Sequence, residues 1–171
     1  MPPMHEPHPE PPELTRRILE LLERRGCAHR HLRHEPTPTS EDSARVRGEP
    51  IEVGGKALVL KVDERFIVLV LSAARRLDSR RLRRELGARS VRFASREELE
   101  ELTGLVPGSV PPFGEPLLPL ELVVDRSVLL NDRIAFNAGS LRDSVIMPVP
   151  EWEACANPAR VLEVTSEAPP E

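Results

Sequence analysis

Gly104-Leu105-Val106-Pro107-Gly108-Ser109-Val110-Pro111-Pro112-Phe113-Gly114 places three glycines and three prolines within eleven residues. Proline removes a backbone donor and fixes φ, and glycine supplies left-handed positions, so this stretch is neither a helix nor a central strand. Unlike an ordinary polar loop it is apolar, through Leu105, Val106, Val110 and Phe113. Two readings fit such a stiff, apolar segment. It lines a small-ligand pocket with main-chain N–H and C=O groups, or it is a packed connection between a helix and a strand.

Upstream of the loop, Ser95 and Glu98 form a capping-box pattern that opens a helix to about Thr103. Val91 and Phe93 fall in a short strand, and a helix from Asp78 or Ser79 to Leu86 is closed by Gly87. Lys56–Val62 and Phe66–Ser72 read as strands joined by the charged turn Asp63-Glu64-Arg65. The unbroken apolar run Ile67–Leu71 predicts a central strand buried on both faces. Gly48–Gly55 is a loop, and Thr39 with Asp42 starts a short helix to about Arg47. Ala28–Glu35 alternates as a strand, with His29 and His31 on one face and His34 on the other. Leu14, Ile18, Leu21 and Leu22 recur at helical spacing over Glu13–Arg25, and Gly26 stops that helix.

Downstream, Leu117–Val124 reads as a strand whose start Pro116 and Pro119 demote to an edge. Asp125–Leu130 is a turn or short helix. Arg133–Phe136 and Ser144–Met147 are strands around the Asn137–Arg142 turn, and Pro150, Glu151 and Trp152 open a last helix. Strands and helices mingle without regular βαβ alternation. The expected fold is α/β, a mixed, mostly antiparallel sheet flanked by helices.

A chain of 171 residues implies one domain. It is expected over residues 13–163, between a disordered Pro/His-rich segment, 1–12, and a loose tail, 164–171. A net charge of −4 excludes a polycation. Cys27 and Cys155 have no C-x-x-C spacing, which disfavours a disulfide framework or zinc site and favours a reducing, cytoplasmic setting. His5 and His8 suggest no more than adventitious metal binding. The N-terminus lacks a signal-peptide pattern and no apolar run reaches ~20 residues, so no membrane span is expected. Arg75, Arg76, Arg80, Arg81, Arg83, Arg84, Arg89, Arg92 and Arg96 crowd one span against Asp78 and Glu85. That span is either a phosphate-binding face or a solvated helix face.

The cysteines and serines lack a nucleophile elbow, and no paired carboxylates stand at a loop. Lys56 and Lys61 are the only lysines. The sequence Gly54-Gly55-Lys56-Ala57-Leu58-Val59-Leu60-Lys61, then the glycine–proline loop, then Phe136-Asn137-Ala138-Gly139-Ser140, resembles the YbaK family of aminoacyl-tRNA editing domains over about Leu14–Cys155. The family includes the editing insertion of bacterial prolyl-tRNA synthetases and its free-standing relatives.

The resemblance implies an aminoacyl-tRNA deacylase acting in trans on a mischarged tRNA, expected to be tRNA(Pro) carrying alanine or another small residue. It implies no cofactor, metal or covalent intermediate. Lys56 is implied as the catalytic cation, at the terminal phosphate or the developing oxyanion. Its other reading is an edge-strand lysine that protects solubility. Gly104, Leu105, Val106, Pro107, Gly108 and Ser109, with Asn137, Ala138, Gly139 and Ser140, are implied as the aminoacyl pocket. Relatives place an Asp near Asp143-Ser144, which leaves Asp143 or Ser144 to complete the pocket. Arg80, Arg81 and Arg84 are candidates for tRNA phosphates, and a synthetase is a candidate partner. A non-catalytic module that recognises a tRNA end or a synthetase is the competing reading.

Overall fold

The computed structural model describes residues 10–167. The expectations for His5, His8 and the ends of both tails fall outside them. Helix α1 (Glu13–Arg24) and strand β1 (Arg30–Arg33) lead into α2 (Ser40–Arg47) and a 3-10 turn, Ile51–Val53. Then come β2 (Gly55–Val62), β3 (Arg65–Ser72), β4 (Arg75–Leu77), α3 (Ser79–Glu85), β5 (Val91–Phe93) and α4 (Arg96–Thr103). After the glycine–proline loop follow β6 (Glu121–Asp125), α5 (Arg126–Leu129), β7 (Arg133–Asn137), β8 (Asp143–Pro148), α6 (Val149–Ala156), β9 (Arg160–Leu162) and β10 (Thr165–Glu167).

A five-stranded sheet runs β5-β2-β3-β6-β9, a three-stranded sheet β1-β8-β7, and β10 pairs with β4. The β3–β6 and β6–β9 pairs are parallel and the others antiparallel. The fold is thus the expected mixed, mostly antiparallel α/β arrangement. Period-two alternation divides the core. Val68, Val70, Leu122 and Val124 point toward Ile134, Phe136, Val145 and Met147 of the smaller sheet, with Ile18 and Leu22 of α1 and Trp152 of α6. Ile67, Leu69, Leu71 and Val123 point the other way, to Leu82 of α3 and Val164. The two sheets meet where Gly54 bridges Ala135. A Cβ on neighbouring Gly55 would stand 2.5 Å from Cδ1 of the buried Ile134, so any larger residue there would displace that core side chain.

Two expectations change. The segment before Glu121 is a series of turns, and the strand that follows lies between β3 and β9 rather than at an edge. The prolines end at Pro119, so Glu121–Asp125 retains every donor that an interior strand needs. Nor is the chain loose from Val164 onward: Val164 is fully buried and β10 follows. Asp125 fastens this strap, accepting from Val164 N at 2.8 Å, Thr165 Oγ1 at 3.0 Å and Ser127 N at 3.0 Å. Asp125→Ala removes the acceptor for three buried or half-buried donors. It should lower unfolding free energy by roughly 2–4 kcal/mol in urea titrations, with β10 losing amide-exchange protection first.

Candidate active site

β5 pairs with β2 only across Leu60–Val62, which leaves Gly55–Leu58 with a free edge. A cleft of about 510 Å³ opens there. One wall is Thr37–Glu41, Ser43 and Arg47, in and before α2; another is Pro107, Gly108 and Val110 of the glycine–proline loop. Lys56, Ala57 and Leu58 form its floor, and Asn137 reaches it from the end of β7. Lys56 is exposed and has no hydrogen-bond or ion-pair partner among the described residues. Its ammonium is free to meet an anion.

Helix α2 has little apolar surface and is held by polar bonds. Thr39 caps it, accepting from Asp42 N at 3.1 Å, and Ser43 Oγ donates to Thr37 Oγ1 at 2.8 Å. Arg47, only 9% exposed, makes the main attachment. Its Nε donates to Ser144 Oγ at 2.9 Å, Nη2 to Asn137 Oδ1 at 2.9 Å and Nη1 to Ala135 O at 3.3 Å. Asn137 Nδ2 in turn donates to Gly108 O at 2.7 Å. One guanidinium therefore fixes α2, β7, β8 and the glycine–proline loop. Burial lowers the Arg47 pKa to about 10, against an opposing pull from Glu49, so the group stays charged at neutral pH. Sequence reasoning missed Arg47. Its only sequence signal is an arginine at the end of a helix otherwise poor in anchoring residues.

The loop is a built object. Ser109 N and Oγ both donate to Val106 O, at 3.1 and 2.8 Å, closing a Val106–Ser109 turn. Proline at the second position and Gly108 at φ 88° at the third are the residues that a type II turn requires. Trp152 Nε1 donates to Pro112 O at 3.0 Å, and Phe113 meets Phe136 edge-on at 5.6 Å. The loop stands between two clefts. Pro107 and Gly108 face Lys56, with Asn137. Gly104, Leu105, Val106 and Ser109 line a separate cleft of about 470 Å³ with Gly139, Ser140 and Leu14 of α1. The implied pocket set is thus split.

Ser144 is buried and serves the Arg47 network. His34 Nδ1 lies 2.7 Å from Glu35 O, an acceptor, which places the ring proton on Nδ1. The other nitrogen, Nε2, then accepts from Ser144 Oγ at 2.8 Å. Asp143 lies on the opposite face of β8, its Oδ1 2.7 Å from His31 Nε2 and 3.0 Å from Arg33 Nε. It meets neither cleft. His29 bonds the Cys27 carbonyl. Burial, then nearby Cys27, push the Cys155 thiol up, the wrong direction for a nucleophile. Arg92 pairs with Glu98 at 2.7 Å and Arg75 bonds Thr165, whereas Arg80, Arg81 and Arg84 are exposed with no carboxylate partner among the described residues. No group of three or more His, Cys, Asp or Glu among the described residues could hold a metal, and no helix is long and apolar enough to cross a membrane.

The family model described as "Aminoacyl-tRNA editing domain" matches residues 34–155. The chain belongs to the aminoacyl-tRNA editing domain family, and with it to the enzymes that release amino acids from mischarged tRNA by ester hydrolysis. It is 35% identical over 151 residues to the multifunctional Ser/Thr-tRNA deacylase ProXp-y of Escherichia coli strain K12, covering 85% of this chain and 89% of that one. It is 32% identical over 114 residues to a proline–tRNA ligase of Shouchella clausii, covering 65% of this chain and 20% of the ligase. A crystal structure described as a candidate trans-editing enzyme for prolyl tRNA synthetase superimposes with a TM-score of 0.78 at 26% identity, covering 91% of this chain and 99% of that one.

The Arg47 network makes a direct prediction. Arg47→Ala leaves Asn137, Ser144 and the Ala135 carbonyl without their shared donor and should cost roughly 1–3 kcal/mol in chemical denaturation. Arg47→Lys should recover little of this, because an ammonium cannot span three acceptors held in a fork.

Proposed function

We propose that the Lys56 cleft receives the aminoacyl ester at the 3′ end of a mischarged tRNA, in trans, and that the preferred acyl groups are seryl and threonyl, followed by alanyl. The expected carrier is tRNA(Pro). The observation that carries this reading is Lys56 itself: an unpartnered cation at the open edge of β2, facing hydroxyl-bearing Thr39 and Ser40 across a cleft with a rigid Pro107–Gly108 wall. The name of the Escherichia coli relative favours a hydroxylated acyl group over the alanine-first order that the sequence alone suggests. The proline–tRNA ligase relative supports tRNA(Pro) as carrier.

The chemistry asks little of the protein, because an aminoacyl ester is already activated. Water adds to the carbonyl carbon, charge develops on the carbonyl oxygen, and the bond to the ribose oxygen breaks. The water's proton passes to that ribose oxygen. Lys56 supplies positive charge where the oxyanion or the adjoining phosphate lies, and the cleft walls hold the ester in one pose. A rigid wall excludes bulk better than it ranks small guests, since one methylene is worth only ~1–3 kcal/mol. The prolyl group is disfavoured by its ring and by a nitrogen with one fewer donor. Arg80, Arg81 and Arg84 hold tRNA phosphates away from the ester.

Two measurements test this. Lys56→Ala should lower kcat/KM at least ~100-fold on a panel of seryl-, threonyl-, alanyl- and prolyl-tRNA, with the circular dichroism spectrum unchanged. Prolyl-tRNA(Pro) cleaved as fast as the small-residue substrates would refute the size exclusion. Neutralising Arg80, Arg81 and Arg84 together should weaken tRNA binding and flatten its salt dependence by up to roughly one unit of slope per lost contact. An unaltered slope would make these arginines a solvated face.

A further inference from the structure

Among the described residues Phe93 is the exposed aromatic, Phe66 being half-buried. Phe113, Phe136 and Trp152 lie in the core, whereas Phe93, at the end of β5, is 58% exposed. Nothing in the fold needs a large apolar ring there, and polar residues satisfy an edge strand equally well. Its position has a definite relation to the cleft. Phe93 stands opposite Leu60 in the antiparallel β2–β5 pair. Cross-strand partners share a face, and side chains alternate along a strand, so Phe93, Leu60, Leu58 and Lys56 lie on one face of the sheet. Leu60 packs against Leu82 of α3, and Val91, two residues before Phe93, joins the same cluster. This is the face that α3 covers, and Arg80, Arg81 and Arg84 project from α3.

Lys56 and Leu60 are about 13 Å apart along β2 at ~3.3 Å per residue. Leu58, between them, also lines the cleft. Leu60 itself is buried beneath α3, so Lys56 at the cleft and the exposed Phe93 ring stand toward the two ends of one sheet face, with the α3 arginines on the helix that covers it. Unpaired nucleic acid is bound by this combination, with cations along the backbone and an aromatic face on which a base stacks.

We propose that Phe93 is the stacking platform for a base of the unpaired 3′ end of tRNA, placed so that the terminal ester reaches Lys56; this rests on the deacylase reading above. Phe93 is a binding residue and takes no part in bond breaking. The test compares binding of two unacylated probes, a tRNA with its full 3′ end and the same tRNA lacking its unpaired 3′ nucleotides. Wild type should bind the full tRNA more tightly. Phe93→Ala should weaken that complex about tenfold and leave the truncated one unchanged, while Phe93→Trp retains wild-type affinity. In deacylation the Phe93→Ala loss should fall on KM rather than kcat. The proposal is overturned if Phe93→Ala binds both probes as wild type does, the result expected if the ring serves a protein partner instead, or if it loses affinity for both alike. Deacylation of seryl-tRNA by wild type judges the activity separately. With activity present and Phe93→Ala indistinguishable in binding, only the stacking falls. With activity absent and the binding pattern as expected, the stacking stands and the deacylase reading falls.

Discussion

A buried guanidinium is an expensive object, and this structure is arranged around one. Arg47 is desolvated, yet it meets three neutral oxygens rather than a carboxylate in direct contact. Glu49, the acid whose field reaches it, is engaged by Arg133 at 2.8 Å. The charge of Arg47 is thus accommodated without being cancelled. Lys56, on the far side of the same cleft, is not cancelled either. Among the described residues Glu41 is the only carboxylate in the lining, and it is exposed. Two uncompensated cations around one hollow make a site of positive potential in a protein whose net charge is −4. An anionic substrate end is the natural complement.

The same network explains why so apolar a loop can border water. Its Pro107–Gly108 corner is held from below by Asn137, its end by Trp152, and its own turn by Ser109. A wall fixed at three points can exclude by size without a lid. Asn137 is occupied by this task, its amide oxygen taken by Arg47 and its amide nitrogen by Gly108. The residue is thus part of the frame of the site as well as of the cleft lining, where the family resemblance implied it.

Much of the fold was legible because the signals were local. The buried run Ile67–Leu71, the Ser95–Glu98 capping box and the glycine stops are readable within one element. Lys56 and the loop were legible through order and type. What escaped was non-local. β4, β9 and β10 have three residues each, too short to show a period, and exist because neighbouring strands offer partners. The division of the loop's residues between two clefts depends on where α1 docks: Thr15 Oγ1 donates to Ala138 O at 2.7 Å, and Leu14 lies over Gly139. Arg47 is silent in sequence because its partners are 88 to 97 residues away.

That long reach has a consequence for how the chain comes to be active. β1 pairs with β8, Arg47 bonds Ser144, and β3 has to wait for β6 and β6 for β9 to complete the parallel half of the sheet. As the chain leaves a ribosome, β1 and α2 emerge long before β8, which β1 pairs with and to which Arg47 is bonded. Loop-closure entropy must be met before these pairings contribute, so folding should be slow for a domain of this size. The β2–β3 hairpin, local and apolar, is the natural first-formed part. The cleft, whose walls come from α2, β2, the glycine–proline loop and β7, is then among the last parts of the fold to be completed.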